Sequence, residues 1–125
     1  MNVARSSVLH VAAAFLAMGG WAVLANRAHP MPGPLVAGLV QGALSAAITL
    51  GLKRGVEALV RRLPGRFALF VPPVAAWAAS AALLIAVHRL AGTPEVLATI
   101  LVPNGVATVY ALLYTVALWK SARLR

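Results

Sequence analysis

Four long apolar segments without a charged residue constrain this 125-residue chain more than any other feature. They cover residues 8–25, 35–52, 67–87 and 96–119, and each has at least 18 residues. A helix of that length spans the hydrocarbon core of a bilayer, which is about 30 Å thick. Backbone polar groups in a bilayer must be satisfied within the segment, and the alternation typical of strands is absent. We therefore predict an all-α integral membrane protein with a single domain of four transmembrane helices.

The composition argues against a soluble enzyme. Hydrophobic residues make up 62% of the chain and charged residues only 10%, whereas about 25% of residues are charged in soluble domains. A fold of this size could not bury so much apolar surface in water, and the same composition excludes disorder. The chain has no cysteine, which removes disulfides and thiolate metal sites.

The first apolar segment has two interpretations. Arg5 precedes it and Val23-Leu24-Ala25 ends it, a pattern that also occurs in cleaved signal peptides. The apolar core of a signal peptide has about 7–15 residues, and this segment is longer. The length favours a retained helix, and cleavage stays open as the alternative.

The distribution of basic residues predicts the orientation. The chain has 11 Lys and Arg against 2 Asp and Glu. Nine basic residues lie before the first segment, between the second and third, and after the fourth: Arg5, Lys53, Arg54, Arg61, Arg62, Arg66, Lys120, Arg123 and Arg125. The two other connections hold only Arg27 and Arg89. Because cytoplasmic loops carry the excess of basic residues, we predict two helical hairpins with both termini in the cytoplasm. The predicted location is the bacterial inner membrane. The basic residues flank apolar segments, which argues against nucleic acid as a partner.

The connection between the second and third segments predicts a lipid contact. Residues 53–63 can continue as a basic amphipathic helix, in which Glu57 and Arg61 are spaced for an ion pair. Such a helix lies on the inner leaflet and attracts anionic headgroups. We therefore predict that anionic lipid binds five residues: Lys53, Arg54, Arg61, Arg62 and Arg66. The alternative is that these charges only fix the topology.

Polar residues inside the apolar segments predict a seam between the second and fourth helices. Ser45 and Asn104 each lie about ten residues from the outer end of their segment, about 15 Å deep at 1.5 Å per residue. The candidate hydrogen-bond partners of Asn104 are Gln41, Ser45 and Thr49, of which Ser45 is closest in depth, and Thr108 lines the same seam. Pro103 is expected to kink the fourth helix. A purely structural role for these residues stays open.

Glycines in the second segment and polar residues in the outer connections predict further contacts. Gly38 and Gly42 permit close approach to another helix, within the chain or between copies. Thr93 is expected to cap the fourth helix, with Glu95 in its first turn and within reach of Arg89. His29 and His88 both lie at the outer side and can meet, but two histidines without an acidic or thiolate ligand make a weak metal site.

The functional prediction is a non-enzymatic transport or lipid-handling protein. The sequence has no catalytic triad, no carboxylate pair on one side of the membrane, and no cofactor fingerprint. We predict no metal and no cofactor, with membrane lipids and other membrane helices as partners, including further copies of this chain. The alternative function is a non-catalytic anchor or assembly subunit of a larger membrane complex.

Overall fold

The four predicted helices are present in the structure. The computed structural model describes residues 3–123 as α1 (Val3–Ala25), α2 (Gly33–Arg62), α3 (Phe67–Leu90) and α4 (Val96–Arg123). Each helix is long and apolar enough to cross a membrane. The prediction of an all-helical fold with four long apolar helices is therefore confirmed. Arg125, counted above among the basic residues, lies outside the described residues.

Two helices extend beyond the expected segments. α2 is continuous to Arg62, so the basic amphipathic segment forms its last turns. The chain then turns at Gly65, whose φ of 54° lies in the left-handed region that glycine adopts without a steric cost. α3 begins at Phe67 and runs through Pro72 and Pro73, which lie beyond its first turn and each remove one backbone hydrogen bond.

The expected cap of α4 is wrong. We expected Thr93 to be the cap, but the helix begins at Val96. The Thr93 hydroxyl lies 2.7 Å from His88 Nδ1 instead. The backbone N–H of Glu95 donates to the side-chain oxygen of Asn26 at 2.9 Å. A residue from the end of α1 therefore satisfies a backbone donor at the start of α4.

Glycines bring α1 and α2 into close contact, as expected for Gly38 and Gly42. A Cβ on Gly19 would lie 2.8 Å from the Gly38 carbonyl oxygen, and a Cβ on Gly42 would lie 2.9 Å from the Phe15 ring. These distances leave no room for a side chain. The two helices pack backbone to backbone, in the manner of small-residue contacts between membrane helices.

The interior of the bundle is small and polar, and its exterior is large and apolar. Most buried hydrophobic residues are alanines, while Leu16, Leu90 and Leu97 are more than 70% exposed. Within residues 5–122, eight polar or ionisable residues are buried: Asn26, Gln41, Ser45, Ser80, His88, Thr93, Thr99 and Thr115. In water such an exterior would be a large apolar patch. In a bilayer it faces lipid, which is compatible with a multi-pass membrane protein.

Contacts between helices define the two ends of the bundle. Trp21 Nε1 in α1 donates to the Ala98 carbonyl in α4 at 3.0 Å. The end that contains this contact and the connections 26–32 and 91–95 is called the far end. At the opposite end, the Tyr114 hydroxyl of α4 donates to Glu57 of α2 at 2.8 Å. That end contains the α2–α3 connection and is called the basic end.

Candidate functional site

A chain of hydrogen bonds runs through the far end from the α3–α4 connection into α2. Thr93 Oγ1 lies 2.7 Å from His88 Nδ1, and His88 Nε2 lies 2.8 Å from Gln41 Oε1. Gln41 Nε2 donates to Ser45 Oγ at 2.7 Å. His88 and Gln41 are both 0% exposed. The chain therefore ties three segments together where water does not reach.

The direction of this chain is compatible with a neutral His88. Gln41 uses its NH₂ group toward Ser45, so its carbonyl oxygen faces His88 and can only accept. His88 Nε2 must then carry the proton, and Nδ1 accepts from the Thr93 hydroxyl. Both ring nitrogens are satisfied in a neutral imidazole, which avoids a buried charge.

A second cluster at the far end is built around Asn26. The Asn26 NH₂ group donates to the Ala22 carbonyl and to the Thr99 hydroxyl, each at 2.8 Å. Its oxygen accepts from the Glu95 backbone, so all its polar groups have partners although it is 0% exposed. The Glu95 carboxylate pairs with His29 at 3.0 Å, and not with Arg89 as expected. The connections at the far end are thus held to α1 and α4.

The predicted partner of Asn104 is wrong. Ser80 in α3 donates a short hydrogen bond to Asn104 Oδ1, whereas the expected partner, Ser45, accepts from Gln41. Thr108 donates to the Asn104 backbone carbonyl at 2.7 Å, within its own helix. Asn104 and Thr108 therefore belong to an α3–α4 contact and are separate from the chain that contains Gln41.

The seam residues are therefore divided between separate contacts rather than collected around one site. Gln41 and Ser45 bond each other, and Asn104 bonds a neighbouring helix. The bond between Ser80 and Asn104 is of the type that holds membrane helices together. His29 and His88 do not meet, because His29 pairs with Glu95 and His88 with Gln41 and Thr93.

The basic end presents a different kind of surface. Five basic side chains are exposed in the last turns of α2 and before α3: Lys53, Arg54, Arg61, Arg62 and Arg66. Lys120 near the end of α4 is exposed as well. Apolar side chains continue directly from this surface, since Phe67 and Phe70 are 64% and 61% exposed. A cationic surface that borders exposed aromatic residues has the composition of a membrane interface.

The single acidic residue of the basic end is turned into the bundle. Glu57 is half-buried and accepts the hydrogen bond of Tyr114. The predicted ion pair of Glu57 with Arg61 is not among the ion pairs of the described residues. The carboxylate therefore links α2 to α4 and does not lie among the exposed cations.

Comparison with known proteins gives no match: no family model, no curated protein and no solved structure is similar to this chain. The function is therefore argued from these two ends of the bundle alone.

Sequence reasoning missed four members of the polar clusters: Asn26, Ser80, His88 and Thr99. For Asn26 and His88 a signal was available, since both are polar residues at the end of an apolar segment, adjacent to a connection. Ser80 and Thr99 offered only a hydroxyl within a helix, and a hydroxyl can bond its own helix as readily as a neighbour.

Proposed function

We propose that this chain is a non-enzymatic, multi-pass membrane protein that binds anionic lipid headgroups at its basic end. The observation that carries the proposal is the cluster of five exposed cations, Lys53 to Arg66, at the border of an apolar exterior. Each cation near an anionic membrane surface contributes about 1 kcal/mol. Five cations therefore contribute at most about 5 kcal/mol to the free energy of binding, which is enough to favour anionic over zwitterionic lipid.

The exterior of the helices supports membrane insertion. Large side chains such as Leu97 and Leu101 are 77% and 71% exposed, while the polar residues are inside. In lipid this distribution needs no covering partner, because lipid tails are as apolar as leucine. By the positive-inside rule the basic end then faces the cytoplasm, where the leaflet is anionic.

Lipid handling is favoured over transport because of the polar clusters. A solute site between helices needs polar groups that are free to bind the solute. Gln41, Ser45 and Asn104 already bond protein groups, so a solute would have to break those bonds. The exposed cations of the basic end need no such rearrangement to meet a headgroup.

The proposal is tested by neutralising the five cations. The purified protein in mild detergent is analysed by native mass spectrometry for retained phosphatidylglycerol. A variant with all five residues changed to Gln should lose this lipid. A matched variant with the four arginines changed to Lys keeps the charge and should retain it. Equal retention by the Gln variant and the native chain would refute the proposal.

The orientation is tested separately by labelling single introduced cysteines. This is possible because the native chain has no cysteine. Met31 is 66% exposed at the far end, and Pro64 is exposed at the basic end. In intact cells, an impermeant thiol reagent should label Met31→Cys and leave Pro64→Cys unlabelled until the membrane is opened. The reverse labelling would overturn the orientation.

A further inference from the structure

An open apolar groove lies between α2 and α3. It has a volume of about 350 Å³ and is lined on α2 by residues between Ala47 and Leu59 and on α3 by residues between Pro72 and Leu83. Gly51 and Gly55 are two of the seven residues that form the α2 wall. Both glycines are exposed, so the groove opens to the surroundings of the bundle.

Gly51 and Gly55 have no packing role within the chain. A Cβ on either residue would meet nothing within 4 Å, whereas a Cβ on Gly38 or Gly42 would collide with α1. A glycine inside a helix costs about 1 kcal/mol relative to alanine. The space that these two glycines leave is therefore available only to a molecule outside the chain.

The walls of the groove are comparable in length to one acyl chain. From Ala47 to Leu59 the α2 wall is about 18 Å long, and from Pro72 to Leu83 the α3 wall is about 16 Å long, at 1.5 Å per residue. Half of the hydrocarbon core is about 15 Å. An acyl chain can lie along walls of this length, against a lining that is mostly Ala, Leu and Gly.

One end of the groove is cationic. Arg62 follows Gly55 by seven residues and Gly51 by eleven, close to two and three whole turns of 3.6 residues. It therefore projects from the groove face of α2, about one turn beyond Leu59. Arg66 lies directly before α3, on the side of the groove where Pro72 lies. Arg61 is one residue earlier and points to another face.

We propose that the α2–α3 groove binds one acyl chain of an anionic phospholipid, whose headgroup contacts Arg62 and Arg66. This inference rests on the proposed function and specifies it: the basic end holds a particular lipid by its chain as well as by its charge. The charge of the end selects an anionic headgroup, and the apolar lining of the groove accepts an acyl chain.

The test fills the groove without disturbing the fold. Gly51→Leu and Gly55→Leu add side chains where the structure has free space. Gly20→Leu is the matched control, since a Cβ there also meets nothing within 4 Å and Gly20 is not in the groove. Thermal unfolding of each purified variant verifies that it is folded.

The readout is photo-crosslinking with phosphatidylglycerol that carries a diazirine halfway along one acyl chain. The native chain and Gly20→Leu should crosslink within residues 47–59 and 72–83, and the two groove variants should lose most of this signal. Arg62→Gln should weaken lipid retention about fivefold, the equivalent of about 1 kcal/mol. Arg61→Gln, which lies off the groove, should change crosslinking at these residues much less.

The outcomes separate this inference from the proposed function. If the five-Gln variant loses lipid but Gly51→Leu and Gly55→Leu crosslink like the native chain, the groove is not the lipid site and only the inference fails. If none of the variants changes lipid binding, both fail. An Ala79→Cys variant that forms disulfide-linked dimers in membranes would assign the groove to a second copy and overturn the inference.

Discussion

Replacing Gln41 by leucine tests the buried polar chain at the far end most severely. Gln41 accepts from His88 and donates to Ser45, at 2.8 Å and 2.7 Å. The substitution removes both hydrogen bonds and leaves the His88 N–H unpaired in the interior. Such bonds between membrane helices contribute about 0.6 kcal/mol on average and up to about 1.7 kcal/mol. Only the bond to His88 joins two helices, because Ser45 lies in α2 with Gln41, so the predicted loss in the free energy of unfolding is about 0.6–1.7 kcal/mol.

The assay is equilibrium unfolding in mixed micelles, with a double-mutant cycle of Gln41→Leu and His88→Leu. Because each single variant leaves the other residue unpaired, the double variant should lose less than the sum of the two. Thr49→Val is the matched control, since the Thr49 hydroxyl donates only to the Ser45 carbonyl of its own helix. It should change the free energy of unfolding little.

Two results would refute this reasoning. One is a loss for Gln41→Leu no larger than that for Thr49→Val. The other is strict additivity of the two leucine substitutions, since residues that do not interact add to within about 0.3–0.5 kcal/mol. Either result would mean that the chain from Thr93 to Ser45 does not hold the helices together.

Three further predictions concern other contacts of the bundle. Asn104→Leu should destabilise by about 0.6 kcal/mol, and combining it with Ser80→Ala should add little, as measured by unfolding in micelles; full additivity would contradict the bond between them. Asn26→Leu should destabilise more than Asn104→Leu in the same assay, because it removes three hydrogen bonds instead of one, and an equal loss would count against the Asn26 cluster. Gly38→Ala should lower the thermal stability by an amount equivalent to about 1–3 kcal/mol, while Gly51→Ala should not lower it; equal effects would contradict the close approach of α1 and α2.

The sequence predicts the helices well because their signal is local. The length of an uncharged apolar segment can be read directly from the sequence. Pro64-Gly65 ends α2 whatever the packing of α2 against other helices. The close approach at Gly38 and Gly42 was predictable for the same reason, since small residues on a helix surface allow another helix backbone to pack closely against it. The basic end was predictable because its basic residues lie within a short stretch of the sequence.

The polar pairings were not predictable from depth alone. Ser45 and Asn104 lie at a similar depth, but depth does not determine how each helix is rotated about its axis. In the structure α4 turns Asn104 toward Ser80 of α3, and α2 turns Ser45 toward Gln41 and away from Asn104. The rotation depends on packing across the whole bundle, including the glycine contact that fixes α1 against α2. Partners such as His88 and Thr93 follow from that packing.

Lipid selection from a mixture tests the central claim most directly. The native protein is reconstituted with equal amounts of phosphatidylglycerol and phosphatidylcholine, extracted in mild detergent, and the retained lipids are counted by native mass spectrometry. The exposed cations of the basic end predict that phosphatidylglycerol is retained in clear excess, and that the excess disappears in the five-Gln variant. Retention of the two lipids in equal amounts by the native chain would contradict the account.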